Sequence, residues 1–348
     1  MSFPSLRLPL VVLSIIFNCM RPEEIIRFSF LSKRCYALTK ALKKKPKRGL
    51  DIMFCSYASI EFLDSFSTRF EVSEFSDIPE DAQLEFLVIG GVLPCFVSMN
   101  RKRDGMDIYC QYDRFDGLTA LLKYIIDFYK LPIENISIGA DKQRNDPKRA
   151  LDWVFSQQET LNECYFDCDM SGDEELKCFF DRIGNRVEKF LGVLTTSNVG
   201  ENFRYTFRQP ITPDSIEFGD VLWLTIDNLF SLNSRCLSLH MTNLTSEDMN
   251  FFLVNWLLGG NSNLRYMSFE MKLIDVDVIF NGLEVIERDH FVEYRFNEDE
   301  TERRFTFSYE LTRYDGTIAS VLLGNRSFCM CVWPDFNGKS YPVQELEE

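Results

Sequence analysis

Leu8-Pro9-Leu10-Val11-Val12-Leu13-Ser14-Ile15-Ile16-Phe17-Asn18-Cys19-Met20-Arg21-Pro22-Glu23-Glu24-Ile25-Ile26-Arg27-Phe28-Ser29-Phe30-Leu31-Ser32-Lys33-Arg34 is the stretch whose reading decides how this chain is organised. Pro9 suits a helix start, where a missing N–H costs nothing, and Pro22 marks a second start with Glu23 and Glu24 at the positive end of the helix dipole. The two starts lie thirteen residues apart, so the helices are very short. Helices of that length are marginal in water and depend on burial by something else. In the first of them Leu10, Val11, Val12, Leu13, Ile15, Ile16 and Phe17 go all the way round, where a helix lying on one core would show a single stripe. Both sides of it need cover.

A secretory signal would need a basic lead and a small-residue cleavage site, yet only Arg7 precedes the apolar run and Asn18-Cys19-Met20-Arg21-Pro22 follows it. The run also falls short of the ~20 apolar residues of a membrane span. With 348 residues, 45 % of them hydrophobic and 32 of them Phe, the chain can bury a sizeable core, and its length favours a small module plus one larger domain. Eleven Cys, none in a Cys-x-x-Cys pair, read as reduced thiols packed as small apolar side chains in a cytoplasmic or nuclear protein. Without export the Asn-x-Ser/Thr triplets at Asn135, Asn243 and Asn325 carry no meaning.

Charge is divided unevenly. Residues 1–50 hold eleven Lys and Arg against two Glu, a net +9, and residues 51–348 hold twenty-seven against fifty-one, a net −24. A basic leading module on an acidic body suits an acidic partner for the module. The negative body argues against nucleic-acid binding. Lys43-Lys44-Lys45-Pro46-Lys47-Arg48 reads as the solvated tail of a helix, a nuclear import signal or a phosphate-binding patch.

Further along, Asp51–Ser56 and Leu84–Val92 read as strands, and Gly117–Tyr129 as a helix ended by Lys130-Leu131-Pro132. A pattern then recurs: Ile133-x-x-Ile136-x-Ile138, Leu161-x-x-Cys164-x-Phe166 and Leu264-x-x-Met267-x-Phe269, with Cys236–Met241 as a related strand. Helices fill the gaps, Pro147–Gln158 after Asp146 and Asp248–Leu258 after a Thr245-x-x-Asp248 cap, the latter stopping at Gly259-Gly260. Short strands alternating with helices at this spacing predict a leucine-rich-repeat-like curved sheet over residues 131–285. From about Phe291 the pattern turns to antiparallel strands, Phe305–Leu311, a turn at Tyr314-Asp315-Gly316, Ile318–Leu323 and Phe328–Trp333. The expected fold class is therefore α+β: a three-helix module over residues 3–47, a strand and helix region over 48–130, the α/β repeats, and an antiparallel region over 286–348.

Two resemblances are carried by these residues. Leu8, Pro9, Leu13, Ile16, Phe17 and Met20, then Pro22, Ile25, Ile26, Phe28, Ser29 and Phe30, resemble the F-box, by which substrate receptors dock on the acidic Skp adaptor of Skp/cullin/F-box ubiquitin ligases. Where many F-boxes carry Trp after Cys-Arg-Arg, this chain has Ser32-Lys33-Arg34-Cys35, with Tyr36 as the nearest bulky substitute. Leu244-Thr245-x-x-Asp248-Met249-Asn250-x-Phe252-Leu253-x-x-Trp256-x-x-Gly259, with Arg313-x-Asp315-Gly316-Thr317-x-Ala319-Ser320-Val321 and Phe328-x-Met330-x-Val332-Trp333, is similar to the type-two F-box-associated domain of nematode F-box proteins. The resemblance implies a non-catalytic substrate receptor that holds the Skp adaptor, and through it a cullin, by Leu8, Pro9, Leu13, Ile16, Phe17, Met20, Pro22, Ile25, Ile26 and Phe28. A target protein is left to the body. In a repeat of the leucine-rich type the residues Ser137, Tyr165, Ser238 and Ser268 would face the concave side and read the target, with a rim of loops as the competing surface.

Catalytic chemistry finds little support. The only His, His240 and His290, stand beside no coupled Ser or Cys motif. Asp167-x-Asp169-x-Ser171-Gly172 imitates a calcium loop but has Cys178 where a bidentate Glu is required. Cys329-x-Cys331 offers two metal ligands at most, and the acidic run Glu298-Asp299-Glu300 with Glu302 reads as a solvated hairpin end. No cofactor, metal, membrane or nucleic-acid partner is expected. The rival readings are an F-box scaffold without ubiquitin output and an unrecognised hydrolase.

Overall fold

The computed structural model describes residues 8–55, 57–63, 68–91, 93–100, 105–111, 113–139, 147–168, 172–195, 199, 203–296 and 302–342. The acidic positions 298–300, Asp169 and Ser171 of the calcium-like loop, and Asp146 before the second predicted helix lie outside them. Two compact units divide the chain, residues 1–161 and 162–348.

The first unit begins with three helices, α1 (Leu10–Cys19), α2 (Pro22–Phe30) and α3 (Lys33–Leu42). Six strands follow, β1 (Leu50–Phe54), β2 (Ala58–Phe62), β3 (Arg69–Glu74), β4 (Glu85–Ile89), β5 (Leu93–Asn100) and β6 (Gly105–Cys110), and then α4 (Arg114–Tyr129), β7 (Ile133–Gly139) and α5 (Pro147–Gln157). Its strands are ordered β7-β1-β2-β3-β6-β5-β4. The pairs β1/β7 and β3/β6 are parallel and the remainder antiparallel. The helix α4 begins three residues before its predicted start because Asp113 caps it, Oδ1 accepting from the Phe115 N–H at 2.6 Å. Leu118, Leu121, Leu122, Ile125 and Phe128 are all buried. Gly117 allows the close approach, since a Cβ there would come within 2.9 Å of the Cys110 sulfur.

The strand expected over Leu84–Val92 is present as β4, shortened to Glu85–Ile89 as the first arm of a hairpin. β4 stops at Ile89, Gly90 and Gly91 adopt φ of 61° and 77°, and β5 returns antiparallel from Leu93. Two adjacent glycines at positive φ reverse the chain at little steric cost.

The second unit contains β8 (Leu161–Asp167), α6 (Asp173–Ile183), β9 (Val187–Leu194), β10 (Ser215–Val221), α7 (Ile226–Ser231), β11 (Cys236–Thr242), α8 (Ser246–Leu257), β12 (Tyr266–Glu270), α9 (Val276–Ile279), β13 (Ile286–Arg295), β14 (Glu302–Thr312), β15 (Ile318–Leu323) and β16 (Ser327–Val332). Its order is β8-β9-β10-β11-β12-β16-β15-β14-β13. β9 through β12 are mutually parallel, joined in part by α7 and α8, and β12 to β13 are linked through antiparallel pairs. A large mixed sheet therefore follows the N-terminal helices. The spacing between register partners is uneven, as Phe190↔Ser215, Ser215↔Cys236 and Cys236↔Tyr266 show, and β9 and β10 were absent from the recurring sequence pattern.

The antiparallel strands fold back on the parallel ones. Val292 and Tyr294 of β13 pack with Cys236, Tyr266, Cys329, Cys331 and Trp333. The Tyr294 hydroxyl donates within reach of the Arg265 and Val332 carbonyls, at 2.6 and 3.0 Å. The cysteines expected as small apolar side chains are used in this way: Cys236, Cys329 and Cys331 are buried in that cluster, and all eleven are free thiols.

Candidate functional site

The three N-terminal helices form one module with local caps. Pro9 is the N-cap of α1, Pro22 opens α2, and Glu24 Oε2 accepts from the Arg21 N–H at 2.9 Å. Ser32 Oγ accepts from the Cys35 N–H at 3.1 Å to start α3. Inside the module Leu13, Phe17, Ile25, Ile26 and Cys35 are buried, and the Phe17 and Phe28 rings meet with centroids 5.5 Å apart.

Further contacts tie α2 and α3 to the rest of the first unit. Ser29 Oγ and Tyr124 Oη share a hydrogen bond of 2.6 Å, and Phe30 lies 5.1 Å from the Tyr124 ring. Arg27 pairs with Glu85. Glu23 is fully buried, and its Oε2 accepts from Thr68 Oγ1 at 2.9 Å. Burial pushes its carboxyl above the ordinary range despite these partners. Tyr36, the nearest bulky substitute for the missing Trp, packs inside the unit on Tyr124 and Phe128, with centroids 5.9 and 5.5 Å away.

What remains open is the other side of α1. Val11 is 73 % and Ile15 59 % exposed, flanked by exposed Leu10, Val12 and Ile16, with Leu31 open at the end of α2. An apolar patch of this kind on a short helix marks a place for a partner. Of the residues singled out in the sequence, Pro9 and Ile16 are exposed and Leu8, Met20, Pro22 and Phe28 half-buried. Leu13, Phe17, Ile25 and Ile26 lie in the module's own core and hold the patch from beneath. Leu10, Val11, Val12 and Ile15 were missing from that set; fixing the helical phase on a buried Leu13 and Phe17 would have found them.

On the second unit, Ser238 and Ser268 are direct cross-strand partners, and Glu217 and Gly192 continue the row. Tyr165 is exposed and stacks on Phe190 at 4.8 Å, over Gly192, whose missing Cβ would sit 3.0 Å from the Tyr165 ring. Ser137 belongs to the first unit, opposite Met53. His240 Nε2 lies 3.8 Å from Glu217 Oε1 on an open strand, and His290 packs edge-on against Tyr341. Among the described residues no group of three or more His, Cys, Asp or Glu is placed to hold a metal, and no helix is long and apolar enough to cross a membrane.

The family model described as F-box domain matches residues 5–47, which span α1 to α3, and the model described as F-box associated matches residues 202–269, which span β10 to β12. In these two stretches the chain resembles an F-box and an F-box associated domain, in that order. It is similar to the Skn-1 dependent zygotic transcript 15 protein of Caenorhabditis elegans, 21 % identical over 304 residues, a match covering 80 % of this chain and 82 % of the relative. No solved structure matches.

The F-box associated signature has a physical reading. Thr245 caps α8 and exchanges hydrogen bonds with Asp248, Oγ1 accepting from the Asp248 N–H at 3.2 Å and Asp248 Oδ2 from the Thr245 N–H at 2.9 Å. Trp256 is fully buried at the far end of α8, and the Arg313 guanidinium lies over its ring at 5.3 Å. Arg313 is fastened to Asp315 at 2.6 Å and to Thr317 Oγ1 at 3.1 Å, and Gly259, at φ 98°, leaves room for Tyr314. The two separated parts of the motif thus form one corner.

Proposed function

We propose that this chain is the substrate-recognition subunit of a Skp/cullin/F-box ubiquitin ligase. The F-box, residues 3–47, holds a Skp-type adaptor and through it a cullin, and the body captures a target protein. The uncovered apolar side of α1 carries this reading: five exposed aliphatic residues on one ten-residue helix, whose buried side is already satisfied, need a foreign surface. The receptor is non-catalytic and acts in the cytoplasm or nucleus. It raises the local concentration of target lysines to ~mM near the conjugating enzyme and so replaces a rare encounter with a frequent intramolecular one.

The target side is assigned to residues 131–348, with the parallel strands taken as leucine-rich-repeat-like. The exposed Tyr165, stacked on Phe190, and the paired Ser238 and Ser268 support a target surface on this sheet. Adaptor capture by the purified full chain tests the first part: Val11→Asp with Ile15→Asp should lose the adaptor while melting as the wild type does. Undiminished capture would refute the docking assignment. A reconstituted ubiquitylation assay separates a ligase subunit from an F-box scaffold without ubiquitin output.

A further inference from the structure

The parallel part of the second unit has one covered side and one open side. Phe166 stacks on Phe179 of α6 with centroids 4.4 Å apart, and Phe218 meets Phe180 of the same helix at 5.8 Å, so these strand positions face the helix. Positions alternating with them face the opposite way. There Tyr165 and Phe190 form their stacked pair over Gly192, and Tyr165 keeps 42 % of its surface exposed. Glu217 stands in register with Gly192 on the next strand, ~4.8 Å across, and its side chain is 45 % exposed. Ser238 and Ser268 extend the row with short side chains. Asp167 and Glu270 are exposed at the carboxyl ends of β8 and β12, each two positions beyond Tyr165 and Ser268. Among the described residues of β8 to β12 no Lys or Arg shares this side, and the imidazole of His240 lies 3.8 Å from Glu217. An exposed aromatic surface beside a carboxylate suits a cation from outside. A guanidinium answers both groups, since it stacks on a ring and forks to a carboxylate.

Resting on the proposed role of this sheet in target capture, we infer that its open side recognises a basic, arginine-bearing segment of the target. One guanidinium packs on the Tyr165 and Phe190 pair and bonds to the Glu217 carboxylate, and Asp167 and Glu270 attract the flanking cations. Fluorescence anisotropy of a labelled peptide of alternating Arg and Ser, titrated with the full chain, tests this against peptides with Lys or Glu in place of Arg. The arginine peptide should bind saturably and most tightly, and Tyr165→Ala and Glu217→Gln should each weaken it roughly three- to tenfold. Glu174→Gln, which removes an exposed charge from α6 on the covered side, should change it little. An equal loss in Glu174→Gln would overturn the inference, because that pattern is the pull of the whole acidic body, and so would lysine binding as tightly as arginine or no saturable binding of the arginine peptide. Tyr165-dependent binding of the glutamate peptide would overturn the basic segment while leaving target capture by this side standing. Adaptor capture, unchanged in all three variants, shows that each is folded and tests the receptor reading separately.

Discussion

Glu23 and Asp315 are carboxylates pushed in opposite directions, and their pH behaviour separates the two causes. Glu23 is buried, with one oxygen on Thr68 Oγ1 and the other 2.8 Å from Arg21 Nε without the alignment of a hydrogen bond. Desolvation outweighs these partners and raises its carboxyl above 4.5. A raised acid binds its proton more readily in the folded state, so the stability it contributes is lost as pH rises through 4.5 and above. Glu23→Gln keeps an acceptor for Thr68 and removes the charge; its melting temperature relative to wild type should climb between pH 4 and pH 7, and a flat difference would sink this account. Asp315 is held far below 3.8, first by its hydrogen bonds from Arg313 and then by the Thr317 N–H at 2.9 Å. Its contribution is present above 3.8 and disappears in stronger acid. Asp315→Asn should therefore be less stable than wild type at neutral pH, with the gap closing as the pH is lowered, measured by thermal melts across the range.

Among the elements, α1 separates folding from docking along a single helix. Leu13 and Phe17 recur at i and i+4 on the buried side, and Val11 and Ile15 recur at the same interval on the open side. Leu13→Ala should cost ~2–5 kcal/mol of stability, as truncation of a packed core residue does. Val11→Asp should leave the urea midpoint where it is and weaken the adaptor. If the two substitutions exchanged these effects, the assigned phase of α1 would be wrong. The cap of α8 offers a second test, since Thr245→Ala removes the acceptor for the Asp248 N–H and the hydroxyl's own donation to Asp248 Oδ2 at 3.1 Å. That change should cost about 0.5–2 kcal/mol in chemical denaturation.

At the scale of the whole molecule the net +9 of residues 1–50 and net −24 of the remainder set up a long-range field. If the adaptor is acidic, its association rate should fall as salt is raised from ~0.1 to ~1 M, over which the Debye length shrinks from ~10 to ~3 Å, while dissociation from the apolar patch changes little. Stopped-flow measurement of both rates checks this. Much of the architecture was legible locally. Helix starts at Pro9 and Pro22, the Thr245 cap, the Tyr314-Asp315-Gly316 turn and the alternating strands around it all depend on residues within a few positions of one another. β10 escaped notice because a register shift breaks its alternation after Phe218, where Gly219 admits the backbone of Thr195, whose N would lie 2.9 Å from a Cβ. The amino-acid sequence by itself determined the helix starts at Pro9, Pro22 and Thr245, that a short apolar module leads an acidic body, and that most of the cysteines would pack as small apolar side chains. Only the tertiary structure decided which side of α1 is left uncovered and that Arg313 comes to rest on Trp256. Caps and turns are satisfied by neighbours in the chain, whereas burial is a sum over segments far apart in it.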